Sequence, residues 1–113
     1  MKRGEVYLAD LTPRSGSEQT GKRPVIVVSN DGFNSLANWR SIIVIPVSTN
    51  RARKGETLVN IAKGVAGLAD DSVALCHQIT TIDRSKFINY LGELPQALMM
   101  DIETAIKGAL DMD

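Results

Sequence analysis

The residues Val25-Ile26-Val27-Val28 form a run of β-branched side chains that strongly limits the folds open to this chain. Branched side chains favour an extended backbone, and an uninterrupted apolar run of this length is typical of a buried strand. The small, polar stretch 16–21, bounded by two glycines, precedes the run and predicts a surface loop over residues 14–22. Arg23 lies between loop and strand, where Pro24 biases its backbone towards an extended conformation. This arginine either presents charge to an anionic substrate or is simply solvated at the start of a core strand.

The rest of the chain predicts a mainly β fold that ends in one helix. Short apolar segments separated by turn-forming residues favour a small, strongly curved antiparallel sheet or barrel. Pro95 suits the first turn of a helix, and the four-residue spacing of Leu98, Ile102, Ile106 and Leu110 predicts its buried stripe. At 113 residues we expect a single domain, 1–113. The predicted strands are 6–11, 25–29, 41–47, 57–61, 73–76 or 73–79, and 87–91, the last ended by Gly92.

The charge is unevenly distributed along a chain whose net charge is zero. Residues 1–55 hold nine Lys or Arg and four Asp or Glu, whereas residues 56–113 hold four and nine, so the halves carry +5 and −5. A neutral total argues against a nucleic-acid partner. A chain divided in this way can nevertheless carry a local basic face, so the objection no longer holds.

A group of polar and basic residues follows the third predicted strand. Hydroxyls next to several cations suit a phosphate contact, although a solvated hairpin tip explains such a group equally well. The group consists of Ser48, Thr49, Asn50, Arg51, Arg53 and Lys54.

The single cysteine, Cys76, cannot form an intrachain disulfide, which fits a reducing compartment. It lies in an apolar segment, so we expect it in the core. Cys76 and the adjacent His77 make a poor metal site, because no second such pair is present. The N-terminus lacks an apolar signal region, and no apolar run approaches the length of a membrane span. We therefore expect a cytoplasmic protein.

The sequence contains no phosphate-binding glycine signature, zinc spacing or calcium loop, so an enzyme of this kind is expected to work without metal or cofactor. If the anionic substrate is RNA, cleavage without a metal needs few groups, because the ribose 2′-OH is the nucleophile. The protein must align that hydroxyl, stabilise the developing charge and move two protons. Arg23 suits charge stabilisation, since a guanidinium stays protonated and matches phosphate oxygens. Ser48 or Thr49 is a candidate donor to the same phosphate.

Several segments resemble the MazF/PemK (Kid) family, which consists of metal-independent endoribonucleases from toxin–antitoxin pairs. The resemblance covers Arg-Gly-Glu-Val-Tyr-Leu-Ala-Asp-Leu at 3–11, Gly-Ser-Glu-Gln at 16–19 and Arg-Pro-Val at 23–25. Ile-Pro-Val-Ser-Thr at 45–49 and Gln-Ile-Thr-Thr-Ile-Asp at 78–83 extend it over nearly the whole chain. It implies an SH3-like barrel with a C-terminal helix, a homodimer, and a cognate antitoxin that occupies the RNA groove.

The resemblance also implies roles for individual residues. The family's principal catalytic residues are the arginine of Arg-Pro-Val and a Ser or Thr ending the third strand, here Arg23 and Ser48, with Thr49 one position along. Glu18 is a candidate proton acceptor or loop anchor. His77 stands where relatives often carry an acidic residue, and we hypothesise that it handles a proton, the alternative being a structural histidine. The expected RNA-binding residues are Ser17, Gln19, Lys22, Asn50, Arg51, Arg53, Lys54 and Gln78.

The expected reaction is cleavage of single-stranded RNA by 2′-OH attack, which leaves a 2′,3′-cyclic phosphate and a 5′-hydroxyl. The few aromatic residues indicate that bases are read by polar groups and loop shape rather than by stacking. Two other functions remain open. The gyrase poison CcdB has a similar fold, so a non-enzymatic toxin that binds a topoisomerase is one, and a small barrel that binds nucleic acid without cleaving it is the other.

Overall fold

The computed structural model describes residues 1–12, 16, 19–49 and 54–113. Within these residues an antiparallel sheet is followed by a C-terminal helix, which confirms the predicted mainly β fold. Neither α-helix in this part of the chain is long and apolar enough to cross a membrane. The strands are β1 (Glu5–Asp10), β2 (Lys22–Val27), β3 (Ser41–Ser48), β4 (Leu58–Ile61), β5 (Ser72–Leu75), β6 (Thr80–Asp83) and β7 (Phe87–Glu93), and the helices are α1 (Asp31–Asn34) and α2 (Gln96–Leu110).

The sheet is organised around β3, its longest strand. The strands pair in the order β4-β5-β3-β2-β1-β7, and β6 pairs with the first half of β3. All of these pairs are antiparallel. Strands β4 and β7 end this order without pairing with each other, so within the described residues the sheet is not closed into a complete barrel.

Strand β3 changes its partner halfway along. Residues 41–44 pair with β6, whereas Val47 and Ser48 pair with β5. Between these two ladders the neighbouring chain forms a 3₁₀ turn, Cys76–Gln78. Pro46 lies at this change of partner, between the ladders with β6 and β5, where a residue without an N–H is tolerated. The extension of the fifth strand to residue 79 was wrong, because this turn separates β5 from a strand, β6, that we had not predicted.

Two buried clusters lie on opposite faces of the sheet. The helix-side cluster includes Ile26 of β2 and Ile45 and Val47 of β3, packed against α2. The distal cluster consists of Ala9, Leu11, Val25, Val27, Ile42, Val44 and Ile82. Side chains alternate along a strand, so residues two positions apart lie on the same face. A buried residue of known cluster therefore identifies the face of the residues two positions before and after it.

The buried stripe of α2 differs from the predicted one. Its fully buried residues are Met99, Ile102 and Ala105, with Leu98 and Ile106 half-buried beside them. Leu110, predicted to be buried, is 50% exposed. A helix advances about 40° beyond one full turn every four residues, so a strict four-residue repeat drifts off the packed face over three steps. Pro95 lies one residue before α2, where its carbonyl accepts the first helical bond from Met99 N at 3.1 Å.

Gly92, predicted to end the last strand, lies inside β7. The reason is the 3₁₀ turn Val65–Gly67, whose backbone packs directly against the backbone of β7. A Cβ atom on Gly92 would lie 2.5 Å from the carbonyl carbon of Ala66, and one on Gly67 would lie 2.0 Å from the carbonyl oxygen of Leu91. The glycine therefore permits the close approach of two backbones rather than terminating the strand.

Candidate active site

Arg23 is the second residue of β2, where it pairs with Ala9 of β1. It is half-buried, and its Nε donates a hydrogen bond to the carbonyl oxygen of Thr20 at 3.1 Å. Val25 and Val27 belong to the distal cluster, so alternation places Arg23 on the distal face, just beyond the apolar part of the strand. Since the bond to Thr20 uses Nε, the two terminal nitrogens keep the geometry for a forked contact with phosphate.

Ser48 is the last residue of β3, two residues beyond the last β2–β3 pair, Val25 with Pro46. Strands β2 and β3 pair Val25 with Pro46, Ile26 with Ile45 and Val27 with Val44, and continuing this register places Arg23 opposite Ser48. Val44 belongs to the distal cluster, so Ser48, four residues later, lies on the same face as Arg23. Ser48 is only 7% exposed, whereas Thr49, the next residue, is exposed.

Two further basic candidates, Lys22 and Lys54, lie within the described residues. Lys22 precedes Arg23 in β2, so alternation turns it towards the opposite face of the sheet, where it pairs with Asp10 of β1. Hydrogen bonds from the hydroxyl and then the backbone N–H of Thr12 hold the pKa of Asp10 below its usual value, and Lys22 contributes to the same effect. Lys54 is exposed, at the far end of the loop that follows β3.

The short segment 19–21, which leads into β2, is fixed by three hydrogen bonds. The backbone N–H of Gln19 donates to Oε1 of Gln78 at 2.9 Å, and the carbonyl of Gly21 accepts from Leu11 N at 2.9 Å. The third bond is the one between Thr20 and Arg23. Gly21 has a φ of +77°, a left-handed conformation that favours glycine at the bend into the strand. Gln78, predicted to bind RNA, therefore contacts the segment that holds Arg23.

His77 precedes Gln78 in the 3₁₀ turn but contacts a different part of the fold. Its Nδ1 is 3.2 Å from Oγ1 of Thr57, the residue that precedes β4, and its side chain is exposed. The carbonyl of Thr57 accepts from Cys76 N at 2.9 Å, so the backbone next to His77 is fixed to the same residue. Among the described residues, His77 is thus linked to β4 and Gln78 to the segment before β2.

Cys76 is buried, as predicted, and burial raises the pKa of its thiol to about 12. A thiol that stays protonated is a poor nucleophile and metal ligand, so Cys76 acts as a core side chain. Within residues 1–12, 16, 19–49 and 54–113, no group of three or more His, Cys, Asp or Glu side chains lies close enough to hold a metal ion.

Five of the predicted site residues, Ser17, Glu18, Asn50, Arg51 and Arg53, lie outside the described residues. Sequence reasoning missed two residues that contact the predicted ones. Thr20 acts through its backbone carbonyl, which any residue type possesses, so its identity carries no signal. Thr57 was predicted to be the first residue of a strand, and only the fold brings its hydroxyl to His77.

Comparison with known proteins identifies the family. A family described as PemK-like, MazF-like toxins of type II toxin–antitoxin systems matches residues 2–110. "Endoribonuclease MazF" from Staphylococcus saprophyticus is 38% identical over 114 residues, covering 99% of this chain and 92% of the relative. A solved "endoribonuclease in complex with its cognate antitoxin" from mycobacterial species is 28% identical with a TM-score of 0.80, covering 98% of this chain and 95% of the other.

A third relative supports the fold alone, since it is 24% identical. This is the crystal structure of MazF from Deinococcus radiodurans, with a TM-score of 0.83 over 99% of this chain and 97% of that one. The sheet built around β3, the opposed Arg23 and Ser48, and the match of the family over residues 2–110 agree with one another. The chain belongs to the PemK-like, MazF-like toxins of type II toxin–antitoxin systems.

Proposed function

We propose that this toxin is an endoribonuclease that cleaves single-stranded RNA by attack of the ribose 2′-OH, without a metal ion. The endoribonuclease activity is that of the relatives described above. The observation that supports the mechanism is that Arg23, at the start of β2, and Ser48, at the end of β3, share one face and come opposite each other when the β2–β3 register is continued by two residues. A guanidinium and a hydroxyl so placed bind one phosphate group from two sides.

In this mechanism Arg23 stabilises the charge that develops on the phosphate oxygens. The 2′-oxygen bonds to phosphorus as it loses its proton, and the bond from phosphorus to the 5′-oxygen breaks as that oxygen gains one. The products are a 2′,3′-cyclic phosphate and a 5′-hydroxyl, so atoms and charges balance. Arg23 stays protonated throughout and therefore acts as an electrostatic catalyst rather than as a base.

The two proton transfers are assigned to His77 and Glu18 as a hypothesis. His77 is exposed and its ring is oriented by Thr57, which suits contact with a bound substrate. We expect His77→Ala to reduce the single-turnover cleavage rate by about 10²- to 10⁴-fold, the usual contribution of general acid–base catalysis. Thr57→Val, which keeps the imidazole and removes its partner, should cause a smaller loss. An unchanged rate in His77→Ala would leave His77 as a structural residue.

Ser48 rather than Thr49 is the hydroxyl expected to contact the scissile phosphate, because register and alternation place it opposite Arg23. Ser48→Ala should reduce the single-turnover rate by about 10²-fold, as for the loss of one donor to a developing oxyanion. Thr49→Ala, one position along and exposed, is the matched control and should retain most of the rate. A larger loss in Thr49→Ala than in Ser48→Ala would reverse the assignment.

The partners follow from the family and from the relative solved with an antitoxin. The toxin forms a homodimer and is neutralised by a cognate antitoxin protein that occupies the RNA groove. It acts in the cytoplasm, where its RNA substrate is found and where the single, buried Cys76 stays reduced. Ser17, Gln19, Asn50, Arg51, Arg53 and Lys54 are proposed RNA contacts, with phosphate attraction supplied by the cations.

The test is incubation of the purified protein with a long single-stranded RNA in excess EDTA, followed by determination of the fragment ends. Discrete fragments that carry 2′,3′-cyclic phosphate and 5′-hydroxyl ends are expected. Cleavage that occurs only when divalent metal is restored would refute the metal-free mechanism. Intact RNA under both conditions would refute the nuclease, and a DNA-supercoiling assay would then test the topoisomerase poison. Salt-sensitive RNA binding without cleavage would instead indicate the inactive binding barrel.

A further inference from the structure

We infer that Gln78 is a positioning residue that fixes Arg23 through the segment 19–21. The inference rests on the proposed function and assigns Gln78 a different role from the RNA contact expected from the sequence. Its amide oxygen, Oε1, accepts the backbone N–H of Gln19 at 2.9 Å, over a separation of 59 residues. The next residue, Thr20, provides the carbonyl that holds Nε of Arg23 at 3.1 Å.

The geometry makes Gln78 the link between two parts of the fold. Gln78 ends the 3₁₀ turn that lies beside β3 at its change of partner, close to the strand that carries Ser48. The segment 19–21 leads into β2, which carries Arg23. Its other anchor, Leu11 N to the carbonyl of Gly21, fixes the segment to the end of β1 but not to β3. The bond from Gln78 therefore ties the support of Arg23 to the side of the sheet on which Ser48 lies.

The orientation of the Gln78 side-chain amide follows from its hydrogen-bond partner, the backbone N–H of Gln19. A backbone N–H can only donate, so the atom of Gln78 that faces Gln19 must be the oxygen. A glutamate at position 78 keeps such an oxygen, whereas an alanine removes it. Gln19→Pro removes the donor from the other side, and Gln19→Ala keeps that N–H while removing the side chain.

These four substitutions separate positioning from a direct RNA contact. Kinetics are measured on a synthetic oligonucleotide that contains one cleavage site mapped in the long RNA. For a positioning residue, Gln78→Ala and Gln19→Pro each lower kcat by about 10- to 100-fold with KM nearly constant, because a small misplacement of a catalytic group acts on the chemical step. Gln78→Glu keeps most of the wild-type kcat. Gln19→Ala raises KM through the lost RNA contact of its side chain but does not show the fall in kcat expected for Gln19→Pro, because it keeps the backbone N–H. The double variant Gln78→Ala/Gln19→Pro loses no more than either single variant, since both remove the same bond.

A direct RNA contact gives the opposite pattern and would overturn the inference. Gln78→Ala would then raise KM and leave kcat unchanged, Gln78→Glu would be worse because its carboxylate repels phosphate, and the effects of positions 19 and 78 would add. Folding of each variant is checked by its urea unfolding midpoint, so that a loss of kcat is not mistaken for a loss of folded protein.

A second readout does not depend on activity. In the wild-type protein the Gln19 amide is expected to exchange slowly with solvent, and in Gln78→Ala its exchange measured by NMR should accelerate, together with a shift of the Arg23 Nε–H signal. Equal protection of Gln19 in both proteins would refute the inference even if cleavage falls. Wild-type protein that leaves RNA intact would refute the proposed function, and the exchange and Nε–H measurements would still decide whether Gln78 positions Arg23.

Discussion

Replacing Arg23 with alanine is expected to reduce the single-turnover cleavage rate by at least about 10²- to 10³-fold. Such a loss is typical when one preorganised group that stabilises developing oxyanion charge is removed. Arg23→Lys should recover only part of the rate, because a lysine keeps the charge but loses both the fork and the Nε bond to Thr20. The measurement is the rate at saturating enzyme on the mapped oligonucleotide, where binding no longer limits the reaction.

Arg40→Ala is the matched control for this prediction. Arg40 lies just before β3, at the end opposite Ser48, and its Nη2 forms an exposed ion pair with Asp83 at 2.9 Å. Its removal takes away one guanidinium without touching the site, so the cleavage rate should be retained. If Arg40→Ala and Arg23→Ala lower the rate equally, the effect is one of overall charge, and the assignment of Arg23 as the electrostatic catalyst fails.

The proposed pair of Arg23 and Ser48 illustrates what sequence reasoning can reach. The β-branched run after Arg23 and the apolar strand that ends at Ser48 were both recognisable, because their patterns are local. The register between them was not, since register depends on which residues the curved sheet buries on each face. The resemblance implied this pair of residues, and the register of β2 with β3, continued by two residues, brings them opposite each other.

The connections between the strands could not be predicted from the sequence either, because they too depend on the fold and not on a local pattern. The 3₁₀ turn Cys76–Gln78 interrupts a stretch with good strand propensity, and it forms because β3 exchanges one neighbour for another at that level. Propensity contains no information about such an exchange. The bond from Gln78 to Gln19 and the contact of His77 with Thr57 both arise from this turn, so the supports of the site could be identified only in the fold.

The largest effect on stability is expected for Gly67→Ala. Gly67 has a φ of +73°, and a Cβ atom there would lie 2.0 Å from the carbonyl oxygen and 2.7 Å from the carbonyl carbon of Leu91. Both atoms belong to the backbone of β7, which is held to β1, so neither can move aside without breaking the sheet pairing. We expect a loss of more than about 4 kcal/mol in the free energy of unfolding, which belongs to the exceptional range for a point substitution.

Gly64→Ala separates the cost of a steric clash from the cost of a left-handed backbone conformation. Gly64 has a φ of +89° but has no atom within 4 Å of the position of its Cβ. Its substitution should therefore cost only the strain of a left-handed residue, about 1–2 kcal/mol. Gly92→Ala provides the complementary case, since its φ is ordinary while its Cβ would lie 2.5 Å from the backbone of Ala66.

The three variants together decide whether the crossing of the 3₁₀ turn over β7 is a close backbone contact that stabilises the fold. Urea unfolding should place Gly67→Ala and Gly92→Ala well below Gly64→Ala in free energy of unfolding. Equal losses in all three would mean that backbone strain alone sets the cost and that the turn can lift away from β7. Because small domains are stable by only about 5–15 kcal/mol, a loss on the scale expected for Gly67→Ala would remove most of the stability of a domain at the low end of that range.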